Sequence, residues 1–598
     1  MSAPQRLLRW AKEQPDSVAL RQKDFGVWQP LTWSQYADEA RQFGAGLTQL
    51  GLAAGVTVAI LSENRKEWMI AQMGVGLVCG VTAGVYPTSP AAEIEYLLEL
   101  SDAPIVVCED QEQVDKVLAV RSRLPKLQVI VVIDARGLRK YGRDGLYEFA
   151  QIQAMGRTAL AAQPDLIEQR LAAQRPDDTA LIVFTSGSTG RPKAAMMTWQ
   201  GLQHAAGSLD AVLKCAPSDR LVSYLPLCHV AEQMFSIHVP IATGAVVNFA
   251  ESLRTIQEDL RELAPQIFFG VPRIWEKFNA SIQMKLREAG GLRLWLYRRA
   301  MASLTDFAAT PRAVWSVWQR LVWQCWYWLV LRSLLNFIGL RDCRLAVSSG
   351  APIAPDILHF FRILGVPIRE AYGMTEASGA STLQANEASP IGTVGAALPG
   401  VLLKLADDGE ILIGGAGVFR GYYKNDSATR EAIDADGWLH SGDVGRWQDG
   451  PNGAELRVID RKKDIMITAG GKNITPSEIE NGLRFSTYIK EAIVIADRRR
   501  FVSALLQINF DSVSTWAEEQ NYVFTNFKSL VELPQVRELI QAEVDAVNAR
   551  MPQVQQVRKF HLLVKELDHD DGEVTATMKV RRGSIAQKYA NVIEAIYV

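Results

Sequence analysis

The chain has 598 residues, several times the length of an ordinary domain, so we expect one large core and at least one smaller unit. Apolar residues make up 48% of the chain and the formal net charge is -2, so we expect no attraction to nucleic acid and no nucleic-acid partner. The six cysteines are scattered without CxxC spacing, which argues against a disulfide framework or a zinc site and favours a cytoplasmic location.

The first half of the chain alternates amphipathic helical segments with short apolar runs. The segment SQYADEARQFGAGLTQLG predicts a helix, and VTVAIL from Val56, PIVVC from Pro104 and ALIVF from Ala180 predict strands. Each run is apolar through its length, as is typical of strands that are covered on both faces of a parallel sheet. The predicted fold class is therefore α/β, with a large N-terminal domain of layered α/β sheets.

The stretch TSGSTGRPK, residues 185–193, follows ALIVF directly. Gly187 and Gly190 are three residues apart and Pro192 lacks a backbone donor, so this is not the GxxxxGK[ST] loop of ordinary NTPases. The glycines let backbone N–H groups turn inward, and Lys193 adds a positive charge. Hydroxyl donors come from Thr185, Ser186, Ser188 and Thr189. The stretch predicts a binding loop for a triphosphate, and a polar surface turn is the alternative interpretation.

Residues 295–328 combine aromatic and basic side chains, with Asp306 as the only acid. The tryptophans of this segment are Trp295, Trp315, Trp318, Trp323, Trp326 and Trp328. The longest apolar run, residues 321–331, is well short of the roughly 20 residues that span a bilayer. Two interpretations stay open: an interfacial anchor, which makes the protein peripheral on the inner face of a membrane, and a buried helix wall.

From Gly409 the sequence changes to short runs with frequent glycine and aspartate turns, which predict a small antiparallel or barrel-like subdomain. The charged run DRKKD, residues 460–464, then precedes the strand-like IMI, the turn AGGKN and the helix start TPSEIENGL, with Pro476 in its first turn. We therefore predict a large N-terminal domain over residues 1–459 and a small, mobile α+β C-terminal domain over residues 464–598.

Three later stretches complete a set with TSGSTGRPK. They are EAYGMTEASG at 370–379, GWLHSGDVG at 437–445 and VIDRKKDIMITAGGKNITPSEIEN at 458–481. In this order, the four motifs closely resemble the core motifs of the adenylate-forming superfamily of acyl-CoA synthetases, adenylation domains and luciferases. Further stretches such as LPLCHVAEQ and VPRIWEKF resemble its long-chain acyl-CoA synthetase branch, including the bubblegum-type members.

The resemblance implies a two-step ligation. A long-chain fatty acid attacks the α-phosphorus of ATP with Mg²⁺ present, which gives acyl-AMP and pyrophosphate, and the thiol of CoA then displaces AMP. One alternative is a fatty acyl-AMP ligase that passes the acyl group to the phosphopantetheine of a carrier protein. Another is a catalytically silent acyl-nucleotide binder.

The resemblance also implies a nucleotide site. Thr375 contacts phosphate and Glu376 holds Mg²⁺, Tyr372 stacks on adenine, and Asp443 binds the ribose with help from Arg461. The resemblance also assigns Gly373 and the turn residues Ser349, Gly350 and Ala351 to the nucleotide site. The alternative interpretations are a packed core tyrosine for Tyr372 and a turn-forming aspartate for Asp443, and the intact motifs favour the nucleotide site over both.

Further roles implied by the resemblance involve the C-terminal region and the acyl pocket. Lys579 matches the catalytic lysine, although a solvated charge is the alternative and Lys565 and Lys588 lie nearby. Lys463 matches the pivot of a hinge at 460–463. Gly470, Gly471 and Lys472 lie on the CoA side, and His229 and Glu232 line the carboxylate end of the acyl pocket. Without the resemblance His229 reads as a core histidine.

Overall fold

An eight-stranded sheet forms the centre of the N-terminal part of the computed structural model, which describes residues 1–185, 191–252, 254–308, 310–568, 571–574 and 580–598. In spatial order its strands are Gly421–Tyr422, Lys193–Thr198, Thr179–Thr185, Val81–Val85, Thr57–Leu61, Ile105–Cys108, Val129–Val132 and Leu146–Glu148. The last six are parallel to one another, and the first two add antiparallel pairings at the edge. The three strands predicted from the apolar runs are thus confirmed, in a sheet that is mostly parallel.

Successive side chains of this sheet enter two separate cores, as expected for a sheet that is covered on both faces. Val58 and Ile60 pack into one core, whereas Ala59 and Leu61 pack into the other. The helices over the first face are Ala3–Glu13, Trp33–Gln49, Lys66–Leu77, Phe149–Ala162, Leu166–Ala172 and Trp199–Leu213. The helices over the second face are Ala91–Ser101 and Gln111–Val120. The helix predicted over SQYADEARQFGAGLTQLG is confirmed as Trp33–Gln49.

Two further sheets complete the large lobe. The strands of the four-stranded sheet are, in spatial order, Arg220–Ser223, Val246–Phe249, Val18–Asp24 and Val27–Thr32. Those of the five-stranded sheet are Ile267–Gly270, Leu345–Ser348, Ile368–Met374, Gly379–Leu383 and Ala396–Ala397. The helices between them are Val230–Glu232, the π-helical Gln233–His238, Val239–Thr243, Ile256–Leu263, Pro272–Ala289, Gly291–Ala308, Val317–Trp326, the π-helical Tyr327–Leu331, Arg332–Ile338 and Pro355–Leu364.

The subdomain predicted from Gly409 is a four-stranded antiparallel sheet that begins slightly earlier than predicted. Its strands are Leu402–Leu405, Glu410–Gly414, Leu439–Gly450 and Gly453–Arg461, with the helix Asp426–Ala432 before the third. The turn at Gly409 joins the first two strands of this sheet. The point at which the sequence changes to short runs is therefore a turn inside the subdomain and not its first residue.

The C-terminal part has an α+β arrangement with its own apolar core, as predicted. Its strands are Met466–Ile467 paired with Asn473–Ile474, and Ile489–Ile495, Val502–Ile508 and Val557–Leu562 in a three-stranded sheet. Its helices are Pro476–Arg484, Phe510–Glu519, Phe527–Val531, Pro534–Asn548, Arg582–Lys588 and Ala590–Tyr597. The predicted helix start is confirmed, with Pro476 in the first turn.

Candidate active site

A cleft of about 3840 Å³ opens between the large lobe and the C-terminal part, and it collects most of the residues that the motifs single out. The predicted site residues that line it are Thr185, Lys193, His229, Ser349, Gly350, Ala351, Tyr372, Gly373, Thr375, Glu376, Asp443, Arg461 and Lys463. The predicted residues that do not line it are Glu232, Gly470, Gly471 and Lys472. Ser186, Gly187, Ser188, Thr189, Gly190 and Lys579 lie outside the described residues.

The two ends of the predicted phosphate loop are held by neighbouring antiparallel strands. Thr185 ends one strand and pairs with Lys193, which begins the next. The hydroxyl of Tyr96 donates to the carbonyl oxygen of Pro192 at 3.0 Å, and the guanidinium of Arg191 lies 5.1 Å from the same tyrosine ring. The loop therefore starts and finishes on the central sheet, and both of its ends, Thr185 and Lys193, line the cleft.

Glu376 lies in a tight turn that the glycines of its motif make possible. The strand Ile368–Met374 ends at Thr375–Ala377 and returns as Gly379–Leu383. A Cβ at Gly373 would stand 2.0 Å from the carbonyl oxygen of Gly379, so only glycine lets the two strands approach this closely. Glu376 is 8% exposed and lines the cleft.

Tyr422, which the sequence analysis did not single out, joins Glu376 to Lys193. Its hydroxyl donates to Oε1 of Glu376 at 2.7 Å, and Nζ of Lys193 lies 4.9 Å from the centre of its ring. Burial, and then the neighbouring Glu376 carboxylate, raise the pKa of Tyr422, so its hydroxyl stays protonated and can donate. Tyr422 lies in the stretch GYYK, residues 421–424, which belongs to the short runs after Gly409 and indicates no site by itself.

Tyr372 and Asp443, which belong to different motifs, are in direct contact in the cleft. The Tyr372 hydroxyl donates to Oδ2 of Asp443 at 2.7 Å, and Nε of Arg461 lies 3.6 Å from Oδ1. Asp443 and Arg461 are paired on neighbouring strands, so Asp443 belongs to a strand and not to an isolated turn. Burial and the Asp443 charge raise the pKa of Tyr372 well above its ordinary value. The arrangement presents a carboxylate, a phenol and a guanidinium together.

Ser349, Gly350 and Ala351 form the loop after the strand Leu345–Ser348, on the same side of the cleft as Tyr372. Gly350 has a φ of +88°, in the left-handed region that glycine adopts without strain. The loop therefore depends on glycine at this position.

The side chains of His229 and Glu232 lie in different environments in the structure. His229 lines the cleft, and its Nδ1 accepts a hydrogen bond from the backbone N–H of Ala231. Glu232 is 1% exposed, and its Oε1 accepts from the hydroxyls of Ser223 at 2.8 Å and Ser236 at 2.6 Å. Burial raises the pKa of Glu232 to about 7. The carboxyl therefore lies inside the core with its two hydroxyl donors and does not line the cleft.

The C-terminal part contributes to the cleft near one of its predicted functional segments and not near the other. Gly572 and Val580, which flank the segment around Lys579, line the cleft, whereas the turn that carries Gly470, Gly471 and Lys472 is exposed elsewhere. Contacts between the two lobes include Arg550 with Asp356 at 2.9 Å.

The two alternative lysines, Lys565 and Lys588, are held in one ion-pair cluster. Both contact Glu573, whose side chain is fully buried, at 3.1 and 2.8 Å, and both contact Asp571. The backbone N–H of Arg581 donates to the carbonyl oxygen of Glu573 at 2.9 Å. The cluster thus ties together the chain on both sides of the Lys579 segment.

Comparisons with known proteins identify the family of the chain. The model of the AMP-binding enzyme family matches residues 7–423, and that of the AMP-binding enzyme C-terminal domain matches residues 463–598. The chain is 33% identical over 602 residues to long-chain-fatty-acid–CoA ligase FadD15 of Mycobacterium bovis, covering 98% of this chain and 95% of that protein. It is 31% identical to long-chain-fatty-acid–CoA ligase ACSBG2 of Homo sapiens, covering 97% and 90%.

Solved structures share the fold at lower identity. The adenylation domain of the carboxylate reductase from Mycobacterium chelonae has a TM-score of 0.74 at 20% identity, covering 100% of this chain and 91% of that one. The anthranilate CoA ligase AuaEII, solved with anthranoyl-AMP, has a TM-score of 0.72 at 20% identity, covering 100% and 98%. These values confirm the fold predicted for an adenylate-forming enzyme. The chain belongs to the AMP-binding enzyme family, as its four motifs indicated.

Proposed function

We propose that this protein is an ATP-dependent long-chain fatty acid–CoA ligase. It converts the fatty acid to acyl-AMP with release of pyrophosphate and then transfers the acyl group to CoA. The observation that carries the proposal is the gathering of four sequence motifs around one cleft, in a chain that is similar along nearly its whole length to long-chain fatty acid–CoA ligases.

Lys193, Thr375 and the backbone donors of residues 185–193 bind the triphosphate and orient its α-phosphorus towards the carboxylate of the fatty acid. The transition state gathers negative charge on phosphoryl oxygens, so oriented donors and cations aimed there lower its energy. Asp443 accepts hydrogen bonds from the ribose hydroxyls, and Tyr372 and Arg461 hold that carboxylate in place. Lys579 supplies a further positive charge during adenylation.

Glu376 fits the requirements of Mg²⁺. Its Oε1 is engaged by Tyr422, whereas its Oε2 has no hydrogen-bond donor among the described residues, and the side chain lines the cleft. Mg²⁺ is usually bound through one or two carboxylates together with substrate phosphates and water, so a single carboxylate suffices. The ion, when bound, neutralises phosphate charge, while Glu376 holds it beside the triphosphate.

The two steps use different faces of the C-terminal domain, which we place at residues 464–598 after a hinge at 460–463. The face beside Gly572 and Val580 lines the cleft here and serves adenylation. The turn of Gly470, Gly471 and Lys472 reaches the acyl-AMP only after rotation about Lys463, and its glycines let the pantetheine arm of CoA pass close to the backbone.

The test is an assay of the full chain with ATP, Mg²⁺ and fatty acids of increasing length, with and without CoA. We expect pyrophosphate release and a CoA thioester whose yield is highest with long-chain acids. A thioester formed only with the phosphopantetheine of a carrier protein would instead identify an acyl-AMP ligase. Binding of ATP without pyrophosphate release would identify a silent nucleotide binder.

We also propose that the segment 295–328 makes peripheral contact with a membrane through its exposed tryptophans. Trp318 is 71% exposed and Trp328 59%, and the guanidinium of Arg332 lies 4.8 Å from the Trp328 ring. Trp323 instead donates to the carbonyl oxygen of Ile363 and packs against the core. Among the described residues, no helix is both long and apolar enough to cross a bilayer. Exposed tryptophan beside arginine suits the interface of a bilayer, where a long-chain acid also partitions.

The double variant Trp318→Ser and Trp328→Ser is therefore expected to move the protein from the pellet to the supernatant when it is sedimented with anionic liposomes. Its thermal unfolding should stay unchanged because both side chains are already exposed. The matched control, Trp323→Ser, should lower the unfolding temperature through lost packing. Unchanged sedimentation of the double variant would remove the membrane assignment.

A further inference from the structure

Tyr422 is held at the edge of the central sheet, beside the strand that begins at Lys193. The strand Gly421–Tyr422 pairs with Lys193–Thr198, so that Tyr422 lies opposite Ala195. The backbone N–H of Tyr422 donates to Oγ1 of Thr429 at 2.9 Å. The ring of Phe419 packs edge-on against the Tyr422 ring at 4.8 Å. The side chain is 8% exposed, so its ring and hydroxyl have one defined position.

The same segment holds Glu376 at two points. The hydroxyl of Tyr422 donates to one carboxylate oxygen of Glu376, and the backbone N–H of Phe419 donates to the Glu376 carbonyl oxygen at 2.8 Å. A carboxylate with one oxygen held in this way cannot rotate freely. Its second oxygen is then directed to one place in the cleft, where an ion would be bound with little loss of side-chain freedom.

The ring of Tyr422 contacts the positive charge of Lys193. Nζ of Lys193 lies 4.9 Å from the ring centre, within the range in which an ammonium is attracted to an aromatic face. One side chain thus contacts an anionic group and a cationic group that both line the cleft. The neighbouring Tyr423 makes the same two kinds of contact with residues that do not line the cleft, since its hydroxyl donates to Asp102 at 3.2 Å and Nζ of Lys424 lies 5.3 Å from its ring centre.

We propose that Tyr422 is a positioning residue that orients Glu376 towards the metal through its hydroxyl and holds Lys193 over the triphosphate through its ring. The proposal rests on the assignment of Glu376 to Mg²⁺ under the proposed function. Tyr422 is distant in the sequence from both Glu376 and Lys193. Its hydroxyl acts on Glu376 and its ring acts on Lys193, so the two effects can be tested separately.

The experiment measures metal binding directly, without turnover. Mn²⁺ binding to the full chain with α,β-methylene-ATP is followed by electron paramagnetic resonance. Tyr422→Phe removes only the hydroxyl and should weaken Mn²⁺ binding by about 10- to 100-fold, the usual effect of losing a partner behind a metal ligand. Tyr423→Phe, the matched control, should leave Mn²⁺ binding unchanged. In the turnover assay, the Mg²⁺ concentration for half-maximal pyrophosphate release should rise with Tyr422→Phe while kcat at saturating Mg²⁺ is largely retained.

A second variant isolates the ring. Tyr422→Leu removes both hydroxyl and ring and should weaken metal-free binding of α,β-methylene-ATP by about 3- to 10-fold, the effect of a lost cation–π contact, whereas Tyr422→Phe should not. Thermal unfolding of each variant shows whether the fold is retained.

The outcomes distinguish this proposal from the one on which it rests. If Glu376→Gln weakens Mn²⁺ binding and Tyr422→Phe does not, Tyr422 has no positioning role and the metal assignment stands. If neither change affects Mn²⁺ binding, the assignment of Glu376 to the metal fails and the role of Tyr422 fails with it. Equal weakening by Tyr422→Phe and Tyr423→Phe would reduce the effect to general packing and overturn the proposal.

Discussion

Glu376→Gln is expected to slow pyrophosphate release by at least about 100-fold at ordinary Mg²⁺ concentrations, because it removes the charge that holds the metal. The amide keeps the shape of the side chain and an oxygen that can still accept from Tyr422. The fold should therefore be retained, with an unchanged unfolding temperature. The measurement is a pyrophosphate-release assay over a range of Mg²⁺ concentrations.

The matched control for this change is Glu370→Gln, in the same motif. Burial raises the pKa of Glu370 to about 7, and its Oε1 accepts from the backbone N–H of Gly392 at 2.9 Å. Since a pKa of about 7 leaves Glu370 about half uncharged at neutral pH, the amide should be tolerated with little loss of adenylation. Near-normal pyrophosphate release by Glu376→Gln would contradict the metal assignment.

Lys579→Ala is expected to slow acyl-AMP formation by about 10²- to 10³-fold, the usual size of losing one oriented electrostatic contact. Formation of thioester from synthetic acyl-AMP and CoA should survive, because that step uses the other face of the C-terminal domain. The two half-reactions are measured separately, as pyrophosphate release and as thioester yield.

Two further variants test the proposed rotation in the same assays. Gly471→Trp should impair thioester formation and leave adenylation usable, because it places a bulky side chain on the turn that CoA must pass. Lys463→Pro should trap one conformer, since proline restricts the φ change that the hinge requires.

Lys588→Ala is the matched control for Lys579→Ala, because Lys588 is bound to Glu573 and Asp571. It should lower the stability of the C-terminal part more than it slows adenylation.

The lysine assignment would be wrong if Lys579→Ala slowed both half-reactions equally, or if it slowed neither of them. Lys565 and Lys588 would then be tested in its place, although both are held by buried Glu573.

Much of the fold follows from local patterns in the sequence. The apolar runs that contain Val58, Val106 and Ile182 became parallel strands of one sheet, because a strand buried on both faces favours apolar residues along its length. The helix start at Pro476 was equally local, since proline suits the first turn of a helix. The four motifs likewise indicated that Lys193, Glu376 and Asp443 belong to one site, and these residues share one cleft.

Other features depended on contacts between segments far apart in the chain. Glu232, which we expect to line the acyl pocket, is buried and accepts hydrogen bonds from Ser223 and Ser236, and these partners are not visible in the motif itself. Tyr422 carried no sequence signal of its own, yet its strand pairing sets it between Lys193 and Glu376.

The tryptophans show the same division between sequence and tertiary structure. Composition by itself determined that residues 295–328 are rich in tryptophan and arginine, and it left anchor and core equally open. The tertiary structure assigned Trp315, which is 7% exposed, to the core and left Trp318 71% exposed. Burial is a property of the surrounding helices and strands, so no local pattern could decide which of these side chains would meet solvent.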